Sequence, residues 1–321
     1  MRAGRDCPLD YRLSAEAFSG AVAFDCESLY VVGGLYGNRQ ALSALQQYLM
    51  HEPDARVVFN GDAHWFDVDP DLFAEIEQGL EPHISLRGNV ETELGRGAES
   101  GAGCGCAYPD TVDDALVDRS NAIHNRLTNT VGCLPGMAER LAMRPATGLI
   151  SVAGQRVAIS HGDEQSLAGW GCGREALAEP ARHQQLDQWL AENRIGVLAT
   201  SHTCSAAALG LRHGVVINNG AAGLPNFADG RYGLVTRIAT EPHPNALYRA
   251  KRGDLTIEAL PLHYDHRAFL ADFDRQWPLD SPAALSYRTR ICFACADQLE
   301  QAMLGSFERC AGPLGTGDPF G

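Results

Sequence analysis

Apolar positions along the chain follow two periods. Leu29–Val32 and Val57–Phe59 are short β-branched and aromatic runs that read as buried strands. Between them Leu42, Leu45 and Leu49 recur at i, i+3 and i+7, the spacing of one helix face. Strand, glycine turn, helix and strand make a βαβ unit, which predicts a parallel pair with a right-handed crossover. Asp69-Pro70-Asp71 starts a second helix through Leu72, Phe73 and Ile76. Residues 84–91 (ISLRGNVE) read as a third strand, and the Gly- and Ser-rich stretch 95–111 as a surface loop. Residues 112–144 read as helical, broken at Gly132-Cys-Leu-Pro-Gly136. Residues 150–160 predict a hairpin turning at Ala153-Gly154, and a helix follows over 182–193. Further strands are expected at 195–200, 215–220, 232–238 and 254–260, the last two antiparallel. Residues 265–310 read as mostly helical, and the last ten as loose.

This pattern divides the chain into a leading arm (1–28), a main α/β domain (29–264) carrying a helical insertion at about 95–145, and a helical C-terminal extension (265–321). With 321 residues and 45% hydrophobic content, the chain can build a large core. Its formal net charge of −14 argues against a general nucleic-acid binder, which needs a basic face. No run approaches the roughly 18 apolar residues of a membrane span, and the first residues lack the apolar stretch of a secretory signal. Ten scattered cysteines fit reduced thiols, so the expected location is the cytoplasm. Cys104/Cys106 and Cys292/Cys295 are the close pairs; without a second pair at zinc-ribbon spacing, buried free thiols are favoured over structural zinc.

Strand ends carry the chemistry. Val57-Val58-Phe59-Asn60 stops on Gly61 and delivers Asp62; later strands deliver Asn89 after Gly88, His161 before Gly162, and His202 after Ser201. In α/β sheets, ligands collect at the carboxyl ends of strands. A lone histidine is more often structural than a ligand, but four such junctions in one chain point to a shared site. One carboxylate, one amide oxygen and two imidazoles form a hard-to-borderline donor set that suits Mn, Fe or Zn.

The order of these motifs resembles that of the calcineurin-like metallophosphoesterases, in particular the small bacterial phosphodiesterase branch. The family order is Asp-x-His-Gly-Asn, Gly-Asn after Gly-Asp, His-Gly, then Gly-His-x-His. Here these stand as Gly34-Leu35-Tyr36-Gly37-Asn38, Gly61-Asp62, Gly88-Asn89, His161-Gly162 and Ser201-His202-Thr203-Cys204. The resemblance covers about residues 29–260 and implies a four-layer α/β/β/α sandwich.

The resemblance also sorts the losses. Asp62, Asn89, His161 and His202 match one metal pocket in full, whereas Gly34, Tyr36 and Cys204 stand where the private ligands of the other would be. It implies a metal-dependent hydrolase acting on a small phosphate mono- or diester through a metal-activated water, with catalytic Asp62, Asn89 and His161. One ion is expected and two are possible. A rebuilt second site would draw on Cys204, His64, Tyr36, Glu91 and Asp67, and Arg87 and Asn38 would contact the substrate phosphate. Two other readings stay open: a non-catalytic metal-binding scaffold, or a centre rebuilt around Cys204 for other chemistry. The oligomeric state is not readable.

Overall fold

A computed structural model describes residues 2–96 and 101–310. The leading arm contributes a two-residue strand, Asp25–Cys26 (β1). Then come Ser28–Val32 (β2), Arg39–His51 (α1), Arg56–Asn60 (β3), Pro70–Leu80 (α2) and Ile84–Leu86 (β4). Helix α2 begins as its sequence predicts, with Pro70 in the first turn and the Asp69 carboxylate capping the Asp71 and Leu72 N–H groups. The strand expected over 84–91 stops at Leu86. Asn89–Arg96 (α3) is instead a helix, because Glu91 reaches back to the Gly88 N–H and satisfies a free donor of its first turn. The insertion is Asp114–Gly132 (α4) and Met137–Ala142 (α5).

The hairpin follows as Thr147–Val152 (β5) and Gln155–Ser160 (β6), its turn made by Ala153 and Gly154, both at positive φ. After it run Arg174–Leu177 (α6), Pro180–Asn193 (α7), Val197–Thr200 (β7), Ala207–Gly210 (β8), Val215–Asn218 (β9), Gly233–Ala239 (β10), Tyr248–Arg252 (β11) and Leu255–Leu262 (β12). The tail holds His266–Gln276 (α8) and Thr289–Phe293 (α9). It then adds one edge strand to each sheet, Met303–Leu304 (β13) beside β8 and Glu308–Arg309 (β14) beside β11. The loose last ten residues expected from sequence lie outside the described residues.

Among the described residues the strands form two seven-stranded sheets, ordered β1-β5-β6-β7-β9-β8-β13 and β14-β11-β12-β10-β2-β3-β4. Alternation along each strand sets the layers. Leu29, Val31 and Val58 point between the sheets, where they meet Val157, Ile159, Val197, Ala199 and Ile217. Tyr30, Val32, Val57 and Phe59 point the other way, onto residues of α1, α2 and α8. Ala158, Leu198 and Val216 pack on Leu186 and Leu190 of α7. The result is the expected α/β/β/α sandwich.

Strands β2, β3 and β4 are parallel neighbours, as are β6, β7 and β9. Their carboxyl ends meet at one edge of the sandwich. Asn60 joins the sheets there: its side-chain amide donates to the Ser160 carbonyl at 2.8 Å.

Candidate metal centre

The turn after β3 is built by close packing. Gly61 has φ +75°, and a Cβ on it would lie 2.4 Å from the Gly88 nitrogen. A Cβ on Gly88 would lie 2.4 Å from Asp62 Oδ1. The two glycines therefore let the ends of β3 and β4 touch, which sets Asp62 beside Asn89. Asp62 itself sits at φ +53°, a costly conformation for a non-glycine residue. Glu91 holds it there: its buried carboxylate accepts the N–H groups of Asp62, Ala63 and Gly88 at 2.9, 2.8 and 2.8 Å.

His161 and His202 arrive from the other sheet. The Asp62, His161 and His202 donor atoms all lie within 4.8 Å of one another. His161 Nε2 lies 3.3 Å from Asp62 Oδ2, 3.1 Å from Asn89 Oδ1 and 3.2 Å from His202 Nδ1. Each of these side chains has its far end fixed by backbone. His161 Nδ1 donates to the Asn60 carbonyl at 2.7 Å, His202 Nε2 to the Cys106 carbonyl at 3.1 Å, and Asn89 Nδ2 to the Cys104 carbonyl at 2.8 Å. These bonds choose the tautomers and leave Nε2, Nδ1 and Oδ1 as lone pairs facing a carboxylate oxygen. Four lone pairs pressed together repel unless a proton or a metal cation lies among them. Their spacing suits one, since ligands at about 2.1 Å from a shared ion lie about 3.0–3.4 Å apart. A single divalent metal fits this donor set.

Without an ion, a proton on His161 takes the cation's place. Burial alone would raise the Asp62 carboxyl, but His161, then His202 and the Val90 N–H, hold it below the ordinary carboxylate range, and Asp62 in turn raises His161 against its burial. Burial pushes His202 down to about 3, helped by neighbouring His161, so it is a neutral donor near pH 7.

Beside this cluster, Tyr36 and Cys204 are hydrogen-bonded to each other. The Tyr36 ring lies 3.0 Å from where a Cβ on Gly34 would be, and its hydroxyl meets Cys204 Sγ at 2.7 Å. Burial raises both the Tyr36 hydroxyl and the Cys204 thiol, so the pair is neutral; it faces the cavity beside Asp62 with no charged donor for a second ion.

Of the other residues proposed for a rebuilt site, none turns a free atom toward this point. Glu91 clamps the Asp62 turn. Asp67 accepts the Trp65 N–H, and both nitrogens of His64 are bonded, Nδ1 to Asp67 at 2.5 Å and Nε2 to Glu77 at 2.8 Å. Asn38 caps α1 by accepting the Ala41 N–H and donates to the Gly223 carbonyl. Arg87 reaches the Ala142 and Arg144 carbonyls, away from the cluster. Asp163, which follows His161, accepts the Gln165, Ser166 and Gly171 N–H groups and organises its own loop.

Sequence reading passed over the second layer. The stretch read as a surface loop contains buried Cys104 and Cys106, whose carbonyls orient Asn89 and His202; residues 97–100 of it lie outside the described residues. Backbone carbonyls leave no mark in a sequence. Glu91 did leave one, a glutamate three residues after the glycine that starts a helix.

The His64 network has its own consequence. Burial disfavours the charged ring, yet Asp67 and Glu77 outweigh it and raise His64 to about 9; Glu77 is lowered to about 2 by His64 and Arg144 against its own burial. A raised histidine contributes stability that is complete below its unfolded value of about 6.5 and lost as pH climbs through the folded one. The depressed Glu77 contributes above about 4.5 and loses that contribution toward about 2. Urea denaturation should therefore show a fall on the order of 3 kcal/mol between pH 6 and pH 10. His64→Asn should flatten most of that slope; an unchanged slope would refute the charged network.

Comparison with solved structures places this architecture. A hypothetical protein from Pyrococcus horikoshii aligns with TM-score 0.56 and 12% identity over 80% of this chain and 97% of its own. A metallophosphoesterase from Sphaerobacter thermophilus aligns with TM-score 0.50 and 13% identity over 84% of this chain and all of its own. The chain has the metallophosphoesterase fold. No family model matches the chain, and no curated protein matches it by sequence. At such low identity the likeness speaks to fold. Within that metallophosphoesterase fold, the buried Asp62, His161 and His202 form a group able to hold a metal ion. No helix among the described residues is long and apolar enough to cross a membrane.

Proposed function

We propose that the protein is a metal-dependent phosphoesterase working with one divalent ion held by Asp62, Asn89, His161 and His202. The observation that carries this reading is the convergence of four lone pairs on one point, each fixed from behind by a backbone carbonyl or N–H. A bound divalent cation supplies Lewis acidity at a phosphoryl oxygen and lowers the pKa of a coordinated water. The chain's part is to fix the donors and keep His202 neutral. Val90 follows Asn89 and offers no proton, so a good leaving group is favoured. The acceptable ions are Mn, Fe or Zn, by the borderline character of two nitrogens and two oxygens.

Protein purified without chelator should carry about one transition-metal ion per chain by plasma mass spectrometry, the number of berths the donors make. It should hydrolyse bis(p-nitrophenyl) phosphate, and dialysis against a chelator should remove the activity until Mn or Zn is restored. A loaded protein that leaves every phosphate ester intact would favour a metal-binding scaffold instead.

A further inference from the structure

A cavity of about 240 Å³ opens directly from the metal centre, with Asp62 and His202 at its floor. Its walls are Trp65, Tyr108, Trp170 and Tyr287, closed toward the outside by Val112 and Leu116 of the insertion. The insertion thus forms one side of the chamber. The Trp170 ring meets His202 edge-on, with centroids 5.3 Å apart, and stands 5.8 Å from the Tyr108 ring. The wall of the chamber is therefore continuous with the ligand set.

Among the described residues, no lysine or arginine lines this chamber. The nearby guanidiniums are committed elsewhere. Arg290 donates to the Pro225 and Cys204 carbonyls, Arg174 to the Ala206 carbonyl and Asp297, and Arg87 to the Ala142 and Arg144 carbonyls. Charge at the centre is correspondingly small. One divalent ion with one carboxylate and three neutral ligands leaves a single positive charge, and buried Glu91 behind the Asp62 turn adds a further negative one. Each added negative charge on a bound ester must then be held in a mostly apolar, low-dielectric chamber that offers neutral donors, among them the unpartnered Trp65 Nε1–H, but no cation. A phosphate monoester carries about two negative charges at neutral pH, a diester one.

Resting on the single-ion phosphoesterase reading above, we infer that the substrate is a singly charged phosphodiester whose departing group is aromatic or similarly flat and apolar, seated between Trp65, Tyr108, Trp170 and Tyr287. Water adds to phosphorus and the phosphorus–oxygen bond to the aromatic group breaks. The leaving oxygen departs as a phenolate-type anion, and the proton lost by the water passes to solvent; no oxidant or reductant is needed. Aromatic walls favour such a group through offset and edge-on ring contacts, and a stable aryloxide leaves without the protonated donor that Val90 does not provide.

The test compares bis(p-nitrophenyl) phosphate with p-nitrophenyl phosphate on the Mn-loaded protein, together with calorimetric binding of diphenyl phosphate and phenyl phosphate. The diester should be preferred at least tenfold in kcat/KM, and diphenyl phosphate should bind the more tightly of the two. Leu116→Lys, at the half-buried mouth of the chamber, should narrow both preferences by restoring a cation. A loaded protein that hydrolyses the monoester as well or better, or binds phenyl phosphate more tightly, overturns the inference while the phosphoesterase reading stands. Tighter binding of diphenyl phosphate without hydrolysis of either ester overturns the phosphoesterase reading and, with it, the inferred substrate. Protein that takes up no metal overturns both.

Discussion

Replacing Asp62 with Asn is expected to strip the centre of its metal and abolish ester hydrolysis. Asp62 is the sole carboxylate among the four donors, and it lies at the meeting point of both sheets. Without it, a divalent ion would face three neutral ligands in a buried site. Loss of an outer-layer partner in metal sites costs about 10–100-fold in affinity. A direct anionic ligand should exceed that range, taking metal content from about one ion per chain to a trace. Asparagine is the informative choice because Asp62 occupies the left-handed region at φ +53°, which costs Asn less than Ala. Asp62→Ala would lose activity as well, but it mixes backbone strain with ligand loss. Metal analysis and diester hydrolysis on folded Asp62→Asn protein decide the matter: full retention of either would remove Asp62 from the centre.

Glu91→Ala should cause the largest loss of stability outside the hydrophobic core, and empty the metal site at a distance. The Glu91 carboxylate is the acceptor for three buried N–H groups, those of Asp62, Ala63 and Gly88. A buried donor left unpaired costs about 1–3 kcal/mol, so the sum should reach roughly 3 kcal/mol or more even with some relaxation. The same bonds hold the strained turn that presents Asp62, so metal affinity should fall together with stability. Glu91→Gln keeps one acceptor oxygen but turns an amide N–H toward backbone donors, and should fall between wild type and Ala. Urea midpoints of the metal-free proteins isolate the structural part, and metal titration reads the rest. If Glu91→Ala matched wild type in both, the clamp would have no energetic role.

Much of this candidate site was legible because its donor side chains sit at junctions the sequence marks. Asp62 follows a β-branched run and a glycine, and His161 closes the hairpin whose turn residues are equally plain. The unbroken apolar run Val57-Val58-Phe59 reads as a buried strand, and the structure turns Val58 between the sheets and Val57 and Phe59 toward the helices. What stayed hidden depends on distant contacts. His64 and Asp67, three residues apart beside Asp62, carry ligand-type side chains, but only the fold shows that Glu77 and Asp67 occupy both ring nitrogens. Arg87 precedes the Gly88-Asn89 motif and so looked like a phosphate contact; β4 ends before it, and its side chain turns to the carbonyls of 142 and 144. The Gly- and Cys-rich stretch around 104–106 has the composition of a solvent loop. It is buried because its carbonyls are needed against Asn89 and His202, a requirement composition does not express.

The bridge from Asn60 to Ser160 has a consequence for biogenesis. Donors run from residue 62 to residue 202 and come from both sheets, so no fragment of the growing polypeptide owns a competent pocket. On the proposed single-ion reading, ion capture would wait until the two halves have closed on each other, and the captured ion would act as a rivet between them. Loading and unfolding then become a single equilibrium: scarcity of metal in the cell would show first as shortened lifetime of the protein, before any change in its catalytic constants.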